Sequence, residues 1–178
     1  MKSLCNIIQS SIVPETKYIR IHVSGDYFNE LYFLAWLNVA INNPNILFYG
    51  YTKAIPFIIK YRKEFPSNFR LTCSMGGTHD HLIKKYHLKF AEVVFSVQEA
   101  SDKGLLIDHD DSLAMNDSSK PFALLLHGVQ PAGSPASLAW QALIKSGIGG
   151  YNRTRKRGDF TPKQFNLKVT LKSSKQYA

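Results

Sequence analysis

Polar side chains stand where the predicted strands of this 178-residue chain end. Asp26 follows a first apolar strand, within "IRIHVSGDYF", while Lys53 and Ser74 follow a second and a third. Carboxyl ends of parallel strands meet at one edge of a sheet, here called the rim, and ligands usually bind there. We expect Asp26 to contact a ligand cation or amine, and Lys53 a carboxylate or phosphate. The predicted ligand-binding residues are Ser24, Gly25, Asp26, Lys53, Ser74, His127 and Gln130, of which the last two would close the rim.

Two short clusters combine histidine with aspartate, and both residue types can ligate Zn, Mn or Fe. His79 and His81 flank Asp80, and His109 lies beside Asp110. Two residues apart on a helix, His79 and His81 do not share a face. The aspartates of the second cluster fall in a predicted loop, where Asx turns account for them. We therefore predict no metal site, and name His79, His81, His109 and Asp110 as the residues that would form one.

Apolar strands alternate with amphipathic helices along the chain, which predicts an α/β fold. We predict strands at 18–24, 45–52, 68–74, 90–97 and 121–128, and helices at 3–12, 29–43, 54–65, 79–87 and 134–147. These elements indicate a parallel, incomplete (βα) barrel of about five strands within residues 1–150. Residues 151–178 would form a basic C-terminal extension. His22 falls inside the first predicted strand, where a hydrogen-bonded core histidine is the ordinary interpretation.

The net charge of +9 is concentrated at the C-terminus. From Tyr151 onward there are eight Lys or Arg and one acid, giving +7, whereas the first 150 residues hold fourteen basic and twelve acidic residues, giving +2. This asymmetry favours an anionic partner, most commonly nucleic acid. The predicted backbone-contacting patch is Arg153, Arg155, Lys156 and Arg157. A solvated tail is the alternative.

The composition limits where such a protein would work. No apolar run approaches the roughly 20 residues of a membrane span, and the first residues lack a secretory signal pattern. The two cysteines, Cys5 and Cys73, are too few for a disulfide framework. We therefore predict a cytoplasmic protein with no membrane partner.

Five segments together resemble the bacteriophage gene-product-88 family from about residue 17 to residue 151. They are "IRIHVSGDYFNELYFLAWL", "FYGYTKA", "NFRLTCSMGG", "GLLIDHDDS" and "ALLLHGVQPAGS". That family is similar to the half-barrels of radical S-adenosylmethionine enzymes. The resemblance implies that Ser24-Gly25-Asp26 takes the place of the turn that meets the amino group of S-adenosylmethionine. It also implies the cytoplasm of an infected bacterium as the location.

The cysteines depart from that pattern. A [4Fe–4S] cluster takes three or four close thiolates, but Cys5 and Cys73 lie 73 − 5 = 68 positions apart. We expect no Fe–S cluster from this chain alone. Compared with the half-barrel, the first strand is also missing, so we expect the 17–24 strand to lie at an edge of the sheet. A separately encoded cysteine-rich half, a second copy of the chain, or its own segment 165–172 ("FNLKVTLK") could cover that edge.

Two functions follow from these observations. In the first, the rim binds a small anionic or S-adenosylmethionine-like ligand, with or without catalysis. In the second, a non-enzymatic phage protein binds nucleic acid or a host protein through its basic tail, and the rim is vestigial.

Overall fold

The computed structural model describes residues 2–128 and 130–147. The strands are β1 (Tyr18–Ile21), β2 (Leu47–Thr52), β3 (Phe69–Ser74), β4 (Phe90–Val94), β5 (Leu106–Ile107) and β6 (Phe122–Leu125). The helices are α1 (Lys2–Ser10), α2 (Glu30–Asn42), α3 (Ile55–Tyr61), α4 (Asp80–Lys85), α5 (Val97–Asp102), α6 (Ser112–Met115) and α7 (Pro135–Lys145), with a 3-10 turn at Arg62–Glu64. The predicted extension at 151–178 lies outside these described ranges.

Six strands of the described chain form one parallel sheet in the order β1-β2-β3-β4-β6-β5. The predicted α/β class with a parallel sheet is confirmed, with six strands rather than about five. The additional strand, β5, has two residues, too few to show a period in the sequence. It lies beyond β6, so the last two strands are out of chain order. β1 lies at the other edge, where a covering partner was predicted; what covers it stays a prediction.

The larger part of the core lies between one face of the sheet and helices α1 to α3. Helix α2 begins where the Asn29 side chain accepts a 2.9 Å hydrogen bond from the Tyr32 amide, an ordinary N-cap. Its Phe33 is fully buried and packs edge-on against Phe69 of β3, with ring centroids 6.2 Å apart. Burying one such side chain stabilises the fold by roughly 1.5–3 kcal/mol. This helical layer therefore packs against the strands whose carboxyl ends form the rim.

The opposite face, here called the inner face, is covered by a short segment of the chain. Successive side chains of a strand point to opposite faces, so Tyr49 lies on the face opposite Phe48, which joins the helical core. Tyr49 packs with Phe122 and with Ala114 of α6. Residues 108–116, which include α6, are named the covering segment. The sequence predicted that Asp108, Asp110 and Asp111 lie in a loop, and they do lie in an irregular stretch before α6, where the Asp110 amide donates to Asp108 and the Ser112 amide donates to Asp110. Helix α6, with Ala114 buried on the sheet, was not predicted.

Three strands, β1, β4 and β6, end earlier than predicted, and β6 ends at Leu125 instead of residue 128. His22 has a left-handed backbone (φ 59°), so the chain leaves β1 after Ile21 and His22 is not a strand residue. Strand β4 ends at Val94, because the Ser96 side chain accepts a hydrogen bond from the Glu99 amide and begins α5. The strand predicted at 90–97 is therefore too long.

Gly50 allows the edge strand to approach its neighbour. It lies opposite Ile21 in the register of β1 and β2, and a Cβ atom added to it would lie 2.8 Å from the Ile21 carbonyl oxygen. We predict that Gly50→Ala lowers the free energy of unfolding by about 1–3 kcal/mol, because β1 must move away from β2. Urea unfolding followed by circular dichroism measures this change.

Gly77→Ala is the matched control. A Cβ atom at Gly77 would meet the flexible side chain of Lys53 at 3.4 Å, an ordinary contact. Gly77→Ala should change the free energy of unfolding by no more than about 0.5 kcal/mol. Equal costs for the two variants would contradict the close approach at Gly50.

Candidate functional site

Asp26 joins the ends of the first two strands. Its Oδ1 accepts hydrogen bonds from the Tyr27 amide at 2.7 Å and from the Thr52 hydroxyl at 2.5 Å. Its Oδ2 accepts one from the Lys53 amide at 2.7 Å. Gly25, with φ +84°, makes the turn that brings the carboxylate back towards β2. Three fixed donors hold this half-buried carboxylate in one orientation, and Oδ2 keeps capacity for a further donor.

Lys53 connects the second strand end to the third. Its Nζ donates to the Ser74 carbonyl oxygen and hydroxyl, both at 3.2 Å, and to the Met75 carbonyl oxygen at 2.5 Å. An ammonium group has three protons, and here each has an oxygen acceptor. Asp26, Lys53 and Ser74 are thus brought together at the rim, but a ligand anion at Lys53 would have to compete with these oxygens. Ser24 lies beside them, exposed, before Gly25.

His127 and Gln130 lie apart from this group. His127 Nδ1 contacts the Leu125 carbonyl oxygen at 2.9 Å, and the Gln130 amide nitrogen donates to the His127 carbonyl oxygen at 2.9 Å. Their strand, β6, is two positions from β3 across the sheet, a separation of about 10 Å. These two side chains therefore make local contacts after β6, and no described contact joins them to Asp26.

Next to Asp26 lies a group of five rings, here called the aromatic cluster: His22, Tyr27, Phe28, Tyr32 and Trp36. The His22 and Tyr27 rings meet edge-on with centroids 4.7 Å apart. Phe28, 75% exposed, stacks on Tyr32 with centroids 4.6 Å apart. Strand prediction missed this cluster because His22 was placed inside β1. The adjacent aromatic and acidic residues of "HVSGDYFNELYFLAW" were the signal that could have revealed it.

Polar atoms inside the aromatic cluster are buried without a hydrogen-bond partner among the described residues. They are His22 Nδ1, Tyr27 Oη and Trp36 Nε1. Burial lowers the pKa of His22 below its ordinary value, although Asp26 opposes this, so the ring is neutral at pH 7. Burial, and then the Asp26 carboxylate, raise the pKa of Tyr27, which keeps its proton. The cluster thus presents neutral rings beside one fixed negative charge.

A second polar group, which the sequence did not predict, lies on the inner face. The carboxylate of Asp111 is buried and accepts hydrogen bonds from Arg20 Nη1 at 3.1 Å, the Tyr49 hydroxyl at 3.1 Å and the Tyr51 hydroxyl at 2.9 Å. Arg20, Tyr49 and Tyr51 are named the cradle. Their spacing in the sequence from Asp111 is 60 residues or more, so no local pattern reveals the group.

Further polar contacts hold the rest of the covering segment. The buried Asp108 carboxylate accepts from the Leu113 and Ala114 amides at 3.1 Å, which satisfies the N-terminus of α6. At its other end, Lys89 Nζ donates to the Leu113 and Asn116 carbonyl oxygens at 2.6 and 2.9 Å. Arg70 also donates, to the Met115 carbonyl oxygen. The cradle thus binds the segment near its start, through Asp111, and Lys89 and Arg70 bind the carbonyl oxygens near its end.

The candidate metal ligands do not come together. Within residues 2–128 and 130–147, no group of three or more His, Cys, Asp or Glu side chains is arranged to hold a metal ion. His79 and His81 are neighbours with ring centroids 6.4 Å apart. His109 and Asp110 are exposed at the start of the covering segment. The predicted nucleic-acid patch Arg153, Arg155, Lys156 and Arg157 lies outside the described residues.

Comparison with known proteins decides the family. The family model of gene product 88 matches residues 5–145, most of the chain and all of the rim and the inner face. The chain belongs to the gene product 88 family. No curated protein and no solved structure matches it.

The cysteines of this gene product 88 protein do not fit an iron–sulfur cluster. Cys5 lies in α1, whereas Cys73 lies in β3, buried in the core. Burial raises the pKa of the Cys73 thiol to about 12, and the two cysteines lie on different elements rather than at the close spacing of cluster ligands. Among the described residues, no helix has the length and apolar character needed to cross a membrane.

Lys89 makes the stability of this family member depend on pH. Burial, and then the Arg70 guanidinium, lower the pKa of Lys89 to about 8 in the folded protein, against roughly 10.4 for an unperturbed lysine. Between these pH values the unfolded chain binds more protons than the folded protein. The contribution of Lys89 to the free energy of unfolding therefore rises as the pH rises from about 8 to about 10.4. Below about pH 8 the lysine is charged in both states, and the full cost of burying that charge lowers the stability of the folded protein.

We predict that the stability difference between wild type and Lys89→Met grows in favour of wild type from pH 7 to about pH 10. Urea unfolding at four pH values measures this difference. Tyrosine and cysteine titration changes the stability of wild type and of Lys89→Met alike, so the difference between the two proteins is free of that effect. Lys84→Met, at an exposed position of α4, is the control, and its difference from wild type should stay constant. A flat or falling difference for Lys89→Met would contradict the prediction.

Proposed function

We propose that this phage-family protein binds a small organic cation, an amine or sulfonium compound of the S-adenosylmethionine type, at the end of β1. The observation that carries the proposal is the fixed Asp26 carboxylate beside the aromatic cluster. Its free acceptor capacity at Oδ2 suits an ammonium group. The exposed Phe28 ring, stacked on Tyr32, offers an open aromatic surface next to it.

The charges and rings of this site suit a cation better than an anion. A cation over an aromatic face gains about 0.5–2 kcal/mol, and a nearby carboxylate adds to the attraction. His22 is neutral at pH 7 and does not repel a positive ligand. Lys53, the predicted anion contact, already donates to three oxygens at the end of β3. An anionic ligand at the rim therefore has less support.

Calorimetric titration with S-adenosylmethionine tests the proposal. We predict saturable binding that Phe28→Ala weakens about 2- to 30-fold, through loss of the exposed ring. Leu138→Ala, which truncates an equally prominent exposed side chain on α7, is the matched control and should leave the affinity unchanged. S-adenosylhomocysteine, which lacks the sulfonium charge but keeps the amine, separates the two cationic groups.

Asp26→Asn provides a second measure at the same site. It removes the negative charge with little change in size, and circular dichroism would check that the fold is kept. The cation should then bind at least about tenfold more weakly. Binding that is absent in wild type, or equal in wild type and both site variants, would sink the proposal.

A second candidate function has support from charge alone. The +7 carried by residues 151–178 favours binding to a nucleic-acid backbone. We predict that wild type binds single- or double-stranded DNA with an affinity that falls steeply with salt, and that deletion of residues 152–178 removes this binding. Fluorescence anisotropy at several salt concentrations measures it. The deletion should leave cation binding at β1 intact, and a salt-independent affinity would exclude the tail as the binding element.

A further inference from the structure

The cradle on the inner face has the chemistry of an anion-binding site. Three donors converge on one point: a guanidinium nitrogen of Arg20 and the hydroxyls of Tyr49 and Tyr51. They come from two adjacent paired strands, β1 and β2, and the Arg20 guanidinium carbon lies 5.2 Å from the Tyr51 ring centroid. Sheet pairing and this cation–π contact hold the donors in place independently of Asp111.

The group inside the cradle is a carboxylate from a distant part of the chain. Asp111 lies 91 residues after Arg20, at the start of the four-residue helix α6. Its backbone is left-handed (φ 63°), a conformation that aspartate adopts more readily than most residues, and its side chain makes no cap hydrogen bond to α6. The carboxylate is instead bound by the cradle. Asp111 therefore behaves as an internal ligand.

We propose that Arg20, Tyr49 and Tyr51 form a binding site for a small carboxylate or phosphate, which takes the place of Asp111 when the covering segment moves from the inner face. This site is separate from the cation site at the end of β1 and shares no residue with it.

Access and charge both fit this assignment. The Arg20 side chain is 34% exposed and lies on the edge strand β1, whereas that of Asp111 is 8% exposed. A ligand can therefore reach the guanidinium from its exposed side before Asp111 leaves. Burial, and then Asp111, raise the pKa of Tyr49, so its hydroxyl keeps its proton and remains a donor. The guanidinium and hydroxyl donors of the cradle favour oxyanions over cations.

Removal of the internal ligand is the direct test. In Asp111→Ala, sodium acetate and inorganic phosphate should each raise the melting temperature saturably, and NMR should show shifts of the Arg20 side-chain resonances. Wild type should bind the same anion at least about tenfold more weakly, because Asp111 competes. Asp117→Ala, which removes an exposed carboxylate just beyond the covering segment, is the matched control for net charge. Sodium chloride at equal ionic strength corrects for general salt effects on stability.

The two anions separate the ligand classes. A response to acetate alone assigns a carboxylate ligand, and a response to phosphate alone assigns a phosphate ligand. The double variant Arg20→Met/Asp111→Ala should lose either response. The proposal is overturned if Asp111→Ala responds no more than Asp117→Ala, or if the response survives in the double variant.

Asp111→Asn keeps the test decisive should the alanine variant fail to fold. Asparagine tolerates a left-handed backbone and retains the size of the side chain without its charge. It should bind the anions more tightly than wild type, and equal or weaker binding also overturns the proposal. Because neither variant touches Asp26 or Phe28, cation binding in the same samples reports separately on the function proposed for the rim.

Discussion

The buried carboxylate of Asp111 holds the inner face of this sheet in its observed state. A charge taken out of water is costly unless it is paired, and here one guanidinium and two hydroxyls pair it. The covering segment lies over Tyr49 and Phe122 because the carboxylate of its Asp111 is fixed there. Lys89 and Arg70 complete the attachment by donating hydrogen bonds to the last carbonyl oxygens of the segment. Loss of the Asp111 contact would leave polar groups buried without partners.

The rim depends on a similar principle at the ends of the strands. Asp26 ties β1 to β2, and Lys53 ties β2 to β3, so three strand ends share one hydrogen-bonded chain. These contacts make the rim rigid, and they also use much of its hydrogen-bonding capacity. What stays open is the aromatic surface around Phe28 and one side of the Asp26 carboxylate. That remainder is the basis of the proposed cationic ligand, whereas the sequence analysis named a small anionic or S-adenosylmethionine-like ligand.

Strongly periodic elements could be predicted from the sequence. Helices α2 and α7 and strands β2 and β3 lie within a few residues of the predicted bounds, because their apolar patterns and caps are local. Asp26, Lys53 and Ser74 also meet as the parallel topology predicted. The short elements β5 and α6 were missed, since two and four residues show no period. His22 was misplaced because its left-handed backbone depends on the surrounding rings rather than on its neighbours in sequence.

The sequence by itself determined the parallel α/β architecture and the convergence of Asp26, Lys53 and Ser74, because both follow from local patterns and from the fixed direction of parallel strands. Only the tertiary structure decided which polar groups remain open to a ligand. The Lys53 side chain binds the end of β3, and the Asp111 side chain, from a loop, lies in the cradle formed by two adjacent strands that are far from it in the sequence. The physical reason is that burial and pairing of a charge depend on contacts between residues 21 to 91 positions apart, which no local pattern records.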